Sequence, residues 1–320
     1  MKKILLATTA LAATSGVAIA DVNLTGRAEM GYFGGSGINE SFHTDLDVTF
    51  TLSGETDGGL TFGATVDLDE GGDGADATDN DFEDGGASVF LSGPFGNLTL
   101  GDTDGAMDWA LTEAVGNPGS LRDDETEHGG YVGGNYLDGA YDGQILRYDN
   151  TFGDFGFAVS VEADDDGVDD PGYGVGIRYN VDLAFGDLAL GLAYQTADSS
   201  DTIGGVALDA GGIEVAALSA ALTTDSGFVA SIMYADIQGT VGGADADMEH
   251  YQISAGYSFD AFSIHANYGE FDGASNRSGY GLAAKYDLGG GASIHAGYGV
   301  TDNSTTPDTE RWSFGVAMSF

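Results

Sequence analysis

Tyr251-Gln252-Ile253-Ser254-Ala255-Gly256-Tyr257-Ser258-Phe259 sets an apolar residue at every second position, and the pattern recurs to the end of the chain. Phe262, Ile264, Ala266 and Tyr268 follow in phase, then Tyr280, Leu282, Ala284 and Tyr286. Ala292, Ile294, Ala296, Tyr298 and Val300 lead into Trp312, Phe314, Val316, Met318 and Phe320. Period two places successive side chains on opposite faces of a strand, so each segment has one greasy and one polar face. Tyr and Phe at the strand ends stand where aromatic girdles would meet two interfaces.

The same pattern extends back to the start. Val22, Leu24, Ala28, Met30 and Tyr32 oppose Asn23, Thr25, Arg27 and Glu29, and Leu46, Val48, Phe50 and Leu52 oppose Asp45, Asp47, Thr49 and Thr51. Leu60 to Asp69, Phe155 to Val161, Tyr173 to Tyr179 and Leu188 to Tyr194 alternate as cleanly. In all, sixteen candidate strands emerge. Three segments fit less well. Ile213 to Leu222 keeps no consistent phase, which suggests a bulge or a buried subunit contact; Ile145 and Met233 fall on the inner phase; Leu98 to Gly101 is short.

Charge decides what the two faces meet. Of the seven basic residues from Asp21 onward, Arg27, Arg147, Arg178, Arg277, Lys285 and Arg311 sit on the polar phase, and Arg122 sits in a long connection. Arg or Lys facing lipid at mid-bilayer costs roughly 2–4 kcal/mol, whereas a wet lumen accepts it. The N-terminus agrees: Lys2 and Lys3 precede an uncharged run, and Ala18-Ile19-Ala20 suits signal peptidase, so residues 1–20 read as a secretory signal removed after Ala20. That run is shorter than the about 20 apolar residues of a membrane helix. The fold expected for residues 21–320 is therefore all-β, a 16-stranded antiparallel transmembrane β-barrel.

Without the signal the chain carries seven basic against 52 acidic residues, a net charge of −45. Such acidity excludes nucleic acid as a partner, since phosphate binding needs cationic patches. The cysteine count is zero, so no disulfide or thiol chemistry is available. Long and short connections alternate, eight long and seven short, as an up-and-down barrel with loops on one rim requires. Gly34 to Phe42 opens the long set, Asp102 to Gly143 is the longest, and Ala197 to Gly211 and Ile237 to Met248 belong to it as well.

With these strands, the signal, the Phe320-terminated last strand and the Leu98-Thr99-Leu100-Gly101-Asp102-Thr103-Asp104-Gly105-Ala106-Met107-Asp108 entry to the longest connection, the chain resembles the general diffusion porins of Gram-negative bacteria. The likeness is to the alphaproteobacterial, Rhodobacter-like kind and spans the mature chain. It implies a homotrimer in the outer membrane, reached through the periplasm, whose third long loop folds inward. It implies too that a terminal aromatic, here Phe320, is read by the outer-membrane assembly machinery.

On that likeness the constriction would gather Asp102, Asp104, Asp108, Glu113, Asp123 and Asp124 from the loop. Arg27, Arg147 and Arg178 would face them from the wall, or else pair locally and brace it. Asp45, Asp47, Lys285 and Arg311 would line the pore. Porins of the enteric type collect wall cations on early strands; here those strands offer Asp45, Asp47, Asp67 and Asp69, which favours cations as the permeant ions.

Acid clusters at Asp69 to Asp84 and Asp164 to Asp170 suit Ca²⁺ or Mg²⁺, which would bridge loops or lipopolysaccharide phosphates. No other cofactor is implied. The five histidines stand singly, without the i, i+4 pairing of a metalloenzyme helix, and His265 and His295 read as pore-lining. The expected function is passive diffusion of small hydrophilic solutes and ions rather than catalysis. A substrate-selective channel of the same fold is the alternative, with a soluble secreted calcium-binding β protein a distant third.

Overall fold

The computed structural model describes residues 21–71, 83–121, 126–141, 144–164, 167–303 and 306–320. The signal segment 1–20, Arg122, Asp123 and Asp124, the acids between 72 and 82, and Asp165 and Asp166 lie outside the described residues.

The first strands are β1 (Asp21–Gly35), β2 (Ile38–Glu55), β3 (Thr61–Gly71), β4 (Glu83–Gly93) and β5 (Gly96–Gly101). A short helix α1 (Ala106–Ala110) sits in the link to β6 (Ile145–Phe152), followed by β7 (Phe155–Glu162), β8 (Gly172–Leu183) and β9 (Gly186–Ala197). A small hairpin, β10 (Asp201–Ile203) and β11 (Val206–Leu208), precedes β12 (Ile213–Thr224) and β13 (Phe228–Gln238). A second, β14 (Thr240–Val241) and β15 (Ala244–Asp245), leads to β16 (Met248–Phe259), β17 (Phe262–Gly273), β18 (Ser278–Gly289), β19 (Ala292–Asp302) and β20 (Thr309–Ser319).

Sixteen of these strands pair antiparallel with their neighbours, and β1 pairs with β20 to close the barrel; the two small hairpins stand outside it. Closure leaves the barrel sheet without an edge, a requirement for strands in hydrocarbon. The polarity is the inverse of a soluble protein. Outward Ile253 and Ile264 are 54% and 50% exposed, whereas inward His250 and Ser254 are 0% and 1%. Phe155, Tyr179, Phe185, Phe228, Phe259 and Phe262 are exposed at the tight-turn rim, and Tyr32, Tyr173, Tyr194, Tyr251, Tyr268 and Tyr280 at the loop rim.

Two sequence expectations need correction, and the long connections after β9 and β13 gain structure. The Gly34 to Phe42 connection is no loop: β1 and β2 run on to a two-residue turn at Ser36-Gly37, where Gly37 takes φ 76°. The connections after β9 and β13 fold into the two small hairpins, each turned by a glycine pair at positive φ. Ile213 to Leu222 holds a regular phase and pairs without a bulge on both sides. It looked phaseless because its inward residues Ile213, Val215 and Ala217 are apolar as well, and they are buried in a core that also holds Met107, Leu111 and Leu137 of the long link after β5.

Candidate pore constriction

The link between β5 and β6 lies inside the barrel, and inward polar side chains rivet it to the wall. Ser160 of β7 accepts from the Ala106 amide at 2.9 Å, Ser219 of β12 from Thr112 at 2.9 Å, and Ser254 of β16 from Val115 at 3.0 Å. Glu162 accepts from Gly139 and Tyr141, both at 3.2 Å, and Gln195 of β9 from Leu137 at 3.2 Å. Tyr136 is bonded to His250 at 2.8 Å, and the far nitrogen of that ring donates to the Gly130 carbonyl at 2.9 Å, so the tyrosine is the donor. His128 donates through Nε2 to Asn267 at 3.2 Å and accepts from the Gly130 amide through Nδ1. Burial holds this imidazole at a pKa of about 4, hence neutral, as two opposite hydrogen-bond roles require.

Close approach needs an inner face without side chains. A Cβ on Gly176 would sit 2.1 Å from the Ala106 carbonyl oxygen, and one on Gly269 only 1.8 Å from that of Gly130. Gly174 and Gly176 are thus part of the bed for α1, whose Ala106, Met107 and Ala110 are buried, and Gly172 lies against Tyr141.

Laid down in this way, the loop gathers four acids. Asp102, Asp104, Asp108 and Asp138 line one cavity of about 270 Å³, with Asn135 and Gly139. The latter two and Asp138 also border a larger cavity of about 780 Å³ reaching Arg277 and Arg311. Asp102 and Asp104 are exposed, and Asp108 and Glu113 half-buried. Burial, then the charges of Asp104, Glu113 and Asp138, raises the Asp108 pKa to about 7. Burial raises Asp138 to about 6, against the bonds it accepts from Gly105 (2.6 Å) and Gln195 (2.5 Å). Glu113 is raised as well, chiefly by burial.

The arginines do not share one place. Arg147 donates to the Asp104 carbonyl at 2.5 Å and to Asp149 at 3.3 Å, and Arg178 lies 3.8 Å from the centre of the Trp109 ring, a cation–π contact with α1. Both therefore hold the loop. Arg27 is bonded to Glu29 at 2.5 Å on β1, next to the inward Asp45, Asp47, Asp67 and Asp69 of β2 and β3. Lys285 is on the inner face opposite His295, and Arg311 opposite Gly35 and Gly299. His295 bonds the Gly119 carbonyl at 2.8 Å and His265 is 4% exposed, so both are buried beneath the loop rather than lining open water.

A sequence profile of the Gram-negative porin family matches residues 7–306. The chain belongs to that family. A porin of Rhodobacter capsulatus is 31% identical over 290 residues, covering 85% of this chain and 91% of its own. A porin structure refined at 1.8 Å resolution matches 94% of this chain and all of its own, with a TM-score of 0.73 and 28% identity. A variant of the Rhodopseudomonas blastica porin carrying three substitutions shares the fold at 18% identity, with a TM-score of 0.68. This porin is thus an outer-membrane channel.

Asp138, Glu162, Gln195, Tyr136 and His250 were not expected from sequence as parts of the site. Glu162, Gln195 and His250 share one signature, a polar residue on the inner phase of a strand rich in small residues, whereas Tyr136 and Asp138 stand in the link between β5 and β6 and carry none.

Proposed function

We propose that this porin is a passive, non-catalytic pore for small hydrophilic solutes and ions that favours cations. The supporting observation is acid on both loop and wall: Asp102, Asp104, Asp108 and Asp138 line a cavity at the loop, and Asp45, Asp47, Asp67 and Asp69 share the inner face of β2 and β3. Arg147 and Arg178, wall arginines that contact the loop, are bound into its support. A lumen lined by one sign of charge concentrates counter-ions and repels co-ions. The gradient drives passage, and no cofactor takes part. By family likeness we also assign a cleaved signal at residues 1–20 and a homotrimeric assembly seated among lipopolysaccharide. Neutralising Asp102, Asp104 and Asp108 together lowers cation over anion permeability in planar bilayers. The change is larger at low salt, where screening is weak, with a screening length of about 10 Å at 0.1 M against about 3 Å at 1 M. Unchanged reversal potentials would remove these residues from the constriction.

A further inference from the structure

A second group of acids, on the barrel wall, surrounds a histidine. The inward faces of β1, β2 and β3 bring together Glu29, His43, Asp45, Asp47 and Asp69, since Glu29 faces Asp45, Gly31 faces His43, and Asp47 faces Asp69 across the strands. One ligand atom each from Glu29, His43 and Asp45 lies within 4.8 Å of the others, and the same holds for Asp45, Asp47 and Asp69. His43 is 3% exposed, and neither ring nitrogen makes a hydrogen bond among the described residues; nor does Asp45 Oδ1. Phe33 meets the imidazole edge-on at 6.3 Å, which leaves Nε2 facing Glu29 Oε2 at 3.5 Å. Buried polar atoms without partners are rare and costly, and four carboxylates beside one guanidinium repel one another.

We infer that Glu29, His43 and Asp45 form a binding site for a divalent first-row transition ion of the Zn²⁺ class, with Asp47 and Asp69 as a second carboxylate layer. One cation partners the orphaned nitrogen and oxygen and offsets the crowded negative charge. Imidazole beside carboxylates suits Zn²⁺ and its neighbours, whereas Ca²⁺ and Mg²⁺ take oxygen ligands alone. The ligand atoms must draw closer than 4.8 Å to reach bond lengths of about 2.0–2.2 Å, which side-chain rotation on a fixed wall supplies. A Cβ on Gly31, directly across from His43, would touch Leu121 of the loop, so the site stands where the loop meets the wall.

The test is calorimetric titration of Zn²⁺ into chelator-stripped, detergent-purified folded protein, with Mg²⁺ in excess to occupy ordinary acidic loops. Binding is expected at one site per chain, with affinity reduced by at least about tenfold in His43→Asn, since loss even of an outer-shell partner costs about 10–100-fold. Asp45→Asn is a second variant, and the heat-modifiable gel shift reports folding of each. X-ray absorption at the zinc edge of the unaltered protein should show imidazole scattering, whatever the variants do. Equal Zn²⁺ affinity in folded His43→Asn, displacement by Ca²⁺ on equal terms, or an all-oxygen zinc shell would each overturn the site. None of these readouts depends on conduction, so they stand or fall apart from the proposed selectivity.

Discussion

Burial raises the pKa values of Asp108 and Asp138 toward neutrality, to about 7 and about 6. A carboxyl whose folded value lies above the usual 3.8 binds its proton more tightly in the folded state. It therefore favours folding below about pH 4, and that contribution is lost as pH rises through 6 and 7. Acidification does not destabilise the loop through these two groups; it removes two negative charges from the cavity wall. Cation preference should thus decline between pH 8 and pH 5, and Asp108→Asn should flatten the upper part of that profile. Reversal potentials under a fixed KCl gradient measure it, and a wild-type profile flat over that range would refute the assignment. Sequence indicated Asp108 only through family likeness. Asp138 stayed hidden because only the fold buries it and brings it to Gly105 and Gln195, 33 and 57 residues away in sequence.

Among the elements, alternation located the barrel strands well but could not say what their inner face touches. Gly174, Gly176 and Ser160 are the seat of α1 and the amide acceptor that fixes it. Ile213 to Leu222 misled for the same reason, an apolar inner face being legible only when the loop that covers it is known. The Gly-rich stretches at 34–37, 204–205 and 242–243 read as loops although they turn hairpins, because glycine at positive φ serves both. A direct consequence concerns Gly176. Valine there would drive its side chain into the Ala106 carbonyl and the Ala110 methyl, and overpacking of this kind costs about 1–3 kcal/mol. The wall has bonded neighbours on both sides, so the loop yields first, displaced toward the lumen. Gly176→Val should assemble normally yet show a lower and more scattered single-channel conductance; wild-type conductance would mean that α1 does not rest on β8.

At the scale of the whole molecule, closure rests on the seam between β1 and β20, the strands farthest apart in sequence. The last residue takes part: the Phe320 amide donates to the Gly26 carbonyl at 2.8 Å, and the Gly26 amide returns to Phe320 at 3.4 Å. Its ring, 76% exposed, belongs to the apolar outside. We propose that backbone and ring serve different ends, the first holding the finished seam, the second recognised during assembly. The two separate experimentally. Phe320→Ala keeps both main-chain bonds, so the folded barrel should resist heat almost as the wild type does, while the amount assembled in cells falls. Deleting Phe320 removes the bonds as well, and should lower both yield and heat resistance. Heat-modifiable migration of outer-membrane fractions, set against total protein, reads the two quantities together. A normal assembled yield for Phe320→Ala would deny the ring any part in sorting, and undiminished heat resistance after deletion would show that the seam closes without its last pair of bonds.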